Sequence, residues 1–305
     1  MTAAAARRRA EGQIARERGP RVIALARRDS QPVAAFTVDV EDWYQSCVDY
    51  DAPITERVVR NVHRVLAVLD EFAVKATFFV QGRVAEAFPK LIQELVIEGH
   101  EIQSHGHSHR PLSRMNRAEL RDECERARAT VEDAAGTRVT AFRAQDFSIG
   151  AENLWALDVL AEVGFSVDSS IFPIRTPRYG ISGWPLGPHE VALPGGGVML
   201  EVPVAVWKSG PCRIPVAGGG YFRLAPATLL ARALRSIADT RPPVVYCHPY
   251  EFNATELAEY RGAASAGLLF SQGLGRDSFV RRVRHLLTSL PFGRFDTVLS
   301  AWGLT

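Results

Sequence analysis

At 305 residues, 47% hydrophobic and 23% charged, the chain can form one large α/β domain or two small ones. This make-up is that of an ordinary globular protein and excludes disordered or fibrous classes. No stretch approaches the roughly 20 apolar residues of a membrane span. The net charge of +2 hides an asymmetry: residues 1–30 hold eight Arg against Glu11, Glu17 and Asp29, and the remainder is close to neutral. Residues 1–32 are read as a disordered, basic leader open to a peripheral contact with anionic membrane, and no nucleic-acid partner is expected. Arg7-Arg8-Arg9 is not followed by an apolar run, because Glu11, Arg16, Glu17 and Arg18 interrupt it. No secretion signal is therefore read. Cys47, Cys124, Cys212 and Cys247 stand far apart with no Cys-x-x-Cys pair, as suits structural thiols in a reducing compartment. Cytoplasm is the expected location.

In chain order, Val33–Val40 is a compact apolar run and predicts a first strand. Ile54–Phe72 follows as a helix, its stripe carried by Val58, Val62, Val65, Leu66 and Leu69 at helical spacing. Val74–Val80, β-branched and aromatic, predicts a second strand. Val84–Glu98 reads as a helix stopped by Gly99, and Glu101–Gln103 as a short strand. Asn116 is placed to cap a helix that runs to about Ala135 and stops at Gly136. Then come strand Val139–Phe142, helix Glu152–Val163, strand Phe165–Asp168, helix Pro226–Ala238 and strand Val244–Cys247. Such alternation means parallel strands joined by right-handed crossovers. Residues 171–226 break the rhythm with nine of the 18 prolines and ten of the 24 glycines. Tyr179, Trp184, Trp207 and Tyr221 lie in this excursion, which is expected to be ordered and to contain a hairpin. These aromatics are candidates for a sugar-stacking wall, with a role as core plugs equally open.

Ionisable residues recur where predicted strands end: Asp39-Val40-Glu41-Asp42, His105 to His109, Arg143, Asp168 and His248. Placed so, they converge on the carboxyl-end mouth of a distorted β/α barrel with fewer than eight repeats, the fold class expected here. Strand alternation sends Asp39 and Glu41 to one face and Asp42 to the other. Two carboxylates on one face repel, so one pKa rises or a cation sits between them. His105 and His109 have His-x-x-x-His chelate spacing, read as one helical turn cut short by Arg110-Pro111. Two imidazoles and a carboxylate leave open coordination positions, the mark of a catalytic rather than a structural metal site. His107 falls between the two and faces elsewhere, and His100 is read as structural. His248 is the first polar side chain after the buried-looking run Val-Val-Tyr-Cys, with Asp168 as the candidate to orient it. Gly195-Gly196-Gly197 and Gly218-Gly219-Gly220 lack the Lys-Ser/Thr of a phosphate loop and are read as turns or close-packing sites.

In number and order these segments resemble the polysaccharide deacetylases of the NodB-homology class, carbohydrate esterase family 4. They are most similar to the branch found near exosortase and exopolysaccharide loci, whose first motif is of the DVED type. The matching residues are Thr37 to Trp43, Gly99 to Ile102 leading into Ser104-His105 and Ser108-His109, and Phe142-Arg143-Ala144. Val167 to Pro173, Gly220 to Arg223 and Tyr246 to Pro249 continue the match. The resemblance runs from about residue 33 to the C-terminus. It implies hydrolysis of an N-acetyl group on a sugar of a polysaccharide or its lipid-linked precursor, with Asp39 as catalytic base. It also implies one divalent metal on Glu41 (or Asp42), His105 and His109. Arg143 would orient the base, and His248 would act as general acid steadied by Asp168. Zinc is the default for such ligands, with cobalt, nickel or manganese able to fit. The chain departs from the pattern in spreading the usual adjacent Asp-Asp pair, and in placing Gln145 and Asp146 where a Pro is usual. Rival readings are another carbon–nitrogen hydrolase on the same scaffold, such as a deformylase or cyclic amide hydrolase, and a catalytically inactive carbohydrate-binding relative.

Overall fold

The computed structural model describes residues 20–25, 33–194 and 196–304. In chain order the strands are β1 (Arg21–Val22), β2 (Ala34–Val40), β3 (Thr77–Val80), β4 (Glu101–Ser104), β5 (Ala141–Phe142), β6 (Val167–Asp168) and β7 (His189–Ala192). They continue with β8 (Val198–Glu201), β9 (Val206–Ser209), β10 (Cys212–Pro215), β11 (Val244–Cys247) and β12 (Phe292–Gly293). Eight of them run parallel, seven in the order β11-β2-β3-β4-β5-β6-β8 and β12 beside β2, while β7 and then β1 extend the sheet antiparallel beyond β8. Beyond β8 the chain turns across the gap. Val202 N–H bonds Asp168 O and Ala205 N–H bonds Val244 O, while Tyr246 N–H bonds Ala217 O, each at 2.8 Å. These bonds join the two ends of the parallel run through an irregular segment, so the sheet curls into a distorted barrel of seven strands.

The elements form for local reasons. Every residue of β2 is buried, as expected of a parallel strand covered on both faces. The helix Arg57–Asp70 buries Val58, Val62, Val65, Leu66 and Leu69, the stripe read from the sequence. Asn116 and Glu119 form a reciprocal capping box at the start of Arg117–Ala135, and Gly136, at φ 65°, ends that helix. The single helix expected over Val84–Glu98 is two, Gly82–Ala87 and Pro89–Ile97, because the Pro89 ring breaks the run after Phe88.

Two further expectations change. Residues 171–226 do contain a hairpin, β9–β10, but they also contain β8, a full member of the parallel sheet. In the leader, Arg21–Val22 pairs with β7 and Arg21 lies 3.6 Å from Glu190, so this stretch is not a free arm; leader residues 1–19 and 26–32 lie outside the described ones. One hydrophobic core runs from Val33 to Trp302, with a smaller cluster of Trp43, Tyr250, Leu257 and Tyr260 beside it.

Candidate active site at the carboxyl end of the barrel

Asp39, Glu41, His105, His109, Tyr246, His248, Tyr250 and Glu251 share one cleft of about 240 Å³ at the carboxyl ends of the strands. Thr37, Asp39 and Glu41 alternate onto one face of β2 and its extension. That spacing lets one guanidinium nitrogen serve two of them. Arg143, directly after β5 and fully buried, donates from Nη1 to Asp39 Oδ1 at 2.8 Å and to Thr37 Oγ1 at 2.6 Å, and from Nη2 to Ser169 Oγ at 3.2 Å. The Phe79 ring lies 4.1 Å from the guanidinium carbon. Removing either member of so buried a pair leaves an uncompensated charge.

Glu41 sits between the two imidazoles. Its Oε2 is 3.4 Å from His105 Nε2 and in contact with His109 Nε2, while Tyr250 Oη donates to Oε1 at 3.0 Å. His105 Nδ1 lies 2.9 Å from the Arg143 carbonyl. A carbonyl only accepts, so Nδ1 carries a proton and Nε2 is the ring nitrogen turned towards the carboxylate. Two acceptors facing each other need a proton or a cation between them. The three ligand atoms lie within 4.8 Å of one another, all on buried residues. A divalent cation therefore fits this donor set, and the carbonyl behind His105 is the outer partner that fixes a metal-binding tautomer. Burial alone would raise the Glu41 carboxyl, but His109, His105 and His248 outweigh it and hold it well below the usual carboxylate range. Burial opposes charging of His109, yet Glu41 raises its pKa above the ordinary imidazole value.

The loop between the histidines is not the helical turn inferred from their spacing. Gly106 and His109 both have positive φ, 68° and 65°, so a bent loop brings the rings to 5.5 Å. A side chain at Gly106 would strike the buried Gln145 amide, 1.8 Å from an ideal Cβ. Glu123 holds the same loop by accepting from His107 N and Ser108 N. His107 turns away to Glu86 at 3.0 Å, and His100 accepts from Ala76 N at 3.0 Å inside the core.

Asp42, the alternative acidic ligand, is committed elsewhere. It is the N-cap of Trp43–Cys47, with Oδ1 accepting from Tyr44 N at 3.1 Å and Oδ2 from Thr55 N and Oγ1 at 3.0 and 2.5 Å. It is not part of the Glu41–His105–His109 group.

Across the cleft, His248 stacks on Tyr250 with ring centroids 5.0 Å apart, and its Nε2 is 4.0 Å from Glu41 Oε1. Its orienting carboxylate is Glu251, not the Asp168 anticipated: Glu251 Oε2 lies 3.1 Å from both Nδ1 and the backbone N of His248. Pro249 starts a short 3₁₀ turn that folds the residue three positions on back over the imidazole. This i, i+3 relation stood in the sequence as His-Pro-Tyr-Glu and went unread. Burial disfavours charging His248, but the Glu251 hydrogen bond and the charges of Glu41 and Asp39 raise it to about 9. Glu251 stays below its ordinary value despite burial, through His248 and Arg223, which lies 3.4 Å away.

Asp168 is fully buried at the end of β6. It accepts from Ser170 Oγ at 2.5 Å and stands in register beside Glu201 of β8. Burial raises both carboxyls, and the neighbouring Asp168 charge drives Glu201 higher. Of the four aromatic candidates only Tyr179 lines the cleft; Tyr221 reaches it through a hydrogen bond with Tyr179. Trp184 is buried against His189 at 5.3 Å, and Trp207 packs on the core from β9, so neither forms a wall of the cleft. Asp146, at φ 55°, lines it with Arg178, to which it is bonded at 3.0 Å.

Residues 27–167 match the polysaccharide deacetylase family model, and residues 169–300 match a domain of unknown function, DUF3473. The chain is 32% identical over 131 residues to a chitooligosaccharide deacetylase of Bradyrhizobium sp. (strain ANU 289), covering 43% of this chain and 52% of that protein. It is 40% identical over 60 residues to a peptidoglycan-N-acetylglucosamine deacetylase of Bacillus cereus, covering 20% of this chain and 22% of that one. The chain thus spans about half or less of these curated relatives. Among solved structures, a Mycobacterium smegmatis protein assigned as a polysaccharide deacetylase superposes with a TM-score of 0.59 at 23% identity, covering 92% of this chain and 94% of that one. Puue allantoinase superposes at 0.58 and 14% identity, over 91% and 95% of the two chains. The shape alone therefore does not select a substrate. The stretch that matches the polysaccharide deacetylase model carries Asp39 and the Glu41–His105–His109 group, and the stretch that matches DUF3473 carries the His248–Glu251 pair.

Proposed function

We propose that this protein removes N-acetyl groups from amino sugars of a polysaccharide or its lipid-linked precursor, using one divalent metal, zinc by default. The observation that carries the reading is the convergence of Glu41 Oε2, His105 Nε2 and His109 Nε2 beside a carboxylate, Asp39, that a buried arginine clamps. A cation on those three residues supplies Lewis acidity at the amide carbonyl and makes water a better acid.

The remaining chemistry belongs to the chain itself. Arg143 fixes Asp39 in place at 2.8 Å, so Asp39 can take the proton from the attacking water. As the carbon–nitrogen bond breaks, His248, protonated and steered by Glu251, gives its proton to the leaving nitrogen. Water and amide become acetate and a free amine. Tyr179, Tyr246 and Tyr250 line the space where a sugar ring would lie. The free thiols of Cys47, Cys124, Cys212 and Cys247 support a reducing compartment.

The test is acetate release from N-acetylglucosamine oligomers, with the amine product identified by mass. Parallel assays use an N-formyl sugar and a cyclic amide. Turnover confined to either of those would replace the acetyl-sugar reading while leaving the site intact.

A further inference from the structure

The exposed apolar side chains are not scattered evenly over the surface. Leu224 is 63% exposed, Leu229 44%, Phe270 70% and Leu274 41%, and all four lie on two short segments that also supply cleft residues Arg223, Leu268 and Gln272. The segments touch: Arg223 bonds the Gln272 carbonyl, and Gly275 packs on the Arg223 backbone. Phe270 and Leu274 are one turn apart at the end of the helix Ala266–Gly273, which has no buried residue although Leu268, Leu269 and Phe270 are apolar. Val48, 37% exposed, follows Cys47, which packs on the same small Trp43–Tyr250–Leu257–Tyr260 cluster as Leu268 and Leu269 of that helix. A monomer gains nothing from holding such side chains in water at the rim of its own site.

Charge separates the possible occupants. Residues 220–238 and 261–284 contain eight Arg and a single carboxylate, Asp277. Arg223 and Arg276 are buried and Arg284 pairs with Glu71, while Arg232, Arg235, Arg261 and Arg281 are exposed. Leu229 and Arg232 are three apart on the helix Ala227–Ala238 and share its outer face. Exposed apolar side chains on arginine-rich segments suit a surface that is greasy inside and negative outside. A second copy of this face, itself arginine-rich, would be repelled.

We infer that the rim formed by Leu224, Leu229, Phe270, Leu274 and the surrounding arginines docks on an anionic lipid bilayer, holding the cleft mouth at the membrane surface. The contact is peripheral, since no helix among the described residues is long and apolar enough to cross a membrane. Buried apolar area and attraction to anionic headgroups act together in such a contact.

The experiment is co-sedimentation of the full chain with phosphatidylcholine vesicles, with and without phosphatidylglycerol. The comparison protein is the Phe270→Asp, Leu274→Asp double variant, its fold checked by melting temperature. Neither residue lines the cleft, so hydrolysis of a short soluble substrate should be unchanged, and lipid binding is read without any turnover. Binding should require phosphatidylglycerol, weaken with salt and fall about tenfold or more in the double variant. No binding to anionic vesicles, or equal binding by the double variant, overturns the inference; the latter would assign the attraction to the basic leader. Lipid-free dimers that the double variant abolishes would also overturn it, making the patch a self-association surface.

Discussion

The two walls of the cleft are built on opposite plans. On the wall formed by β2, β4 and β5, each functional group is fixed by partners far away in sequence: Arg143 reaches Asp39 across 104 positions, and His105 is set by the Arg143 carbonyl. On the opposite wall His248 carries its own partner, since Glu251 follows it by three residues in one turn. The first wall depends on the barrel being assembled, the second on a local turn. Damage should therefore spread differently: losing a first-wall group should also strand its distant partner, and a change on the second wall should act mainly on proton transfer.

The largest expected effect is loss of the ligand pair. His105→Ala with His109→Ala should empty the protein of divalent metal and take acetate release below detection, checked by elemental analysis beside the assay. Wild-type metal content in that variant would break the comparison at its root. Asp39→Asn should be nearly as severe for turnover, towards the upper end of the 10²–10⁴-fold range of general bases, yet keep its metal. Arg143→Ala should cost about 3–5 kcal/mol of stability because it strands a buried carboxylate, seen in chemical denaturation.

On the second wall, His248→Ala should slow turnover by about 10²–10³-fold with metal content and KM little changed. Glu251→Gln should be milder, about tenfold, and should carry a pH signature. The donor is the protonated imidazole, so activity falls as pH rises through its pKa. Glu251 raises that pKa, so its loss should move the alkaline limb to lower pH. The two changes should be non-additive, as for groups acting together. An unmoved limb would mean that Glu251 does not steer the acid.

The smallest effects sharpen the boundary of the site. Asp42→Ala should retain metal and lose about 1 kcal/mol of stability, as for a helix cap. Asp168→Asn should combine additively with His248→Ala, since Asp168 is bonded to Ser170 and paired with Glu201.

Most of the first wall was legible in the sequence. Period-two alternation placed Asp39 and Glu41 on one face and sent Asp42 away, and strand-helix rhythm found most of the parallel strands. What escaped was set by bent backbone or by partners that no local pattern reveals. The His105–His109 pair works through positive φ at Gly106 and His109, where spacing had suggested a helix. β8 hides in a Pro- and Gly-rich stretch because its four residues carry little pattern of their own, and with it Glu201 was missed. Burial claimed Trp184 for the core, and composition cannot tell a core aromatic from a sugar platform. The Glu251 partner was readable as an i, i+3 turn after Pro249, but a carboxylate on a distant strand end was the more conspicuous candidate.

The central claim is that one cation on Glu41, His105 and His109 is required for turnover. The most direct measurement is zinc titration into chelator-stripped protein, following bound metal and acetate release from N-acetylglucosamine oligomers together, with Glu41→Ala alongside. The account predicts that both signals rise together and saturate near one equivalent per chain, and that Glu41→Ala shows neither. Full activity in the stripped protein, or zinc-restored activity in Glu41→Ala, would contradict it.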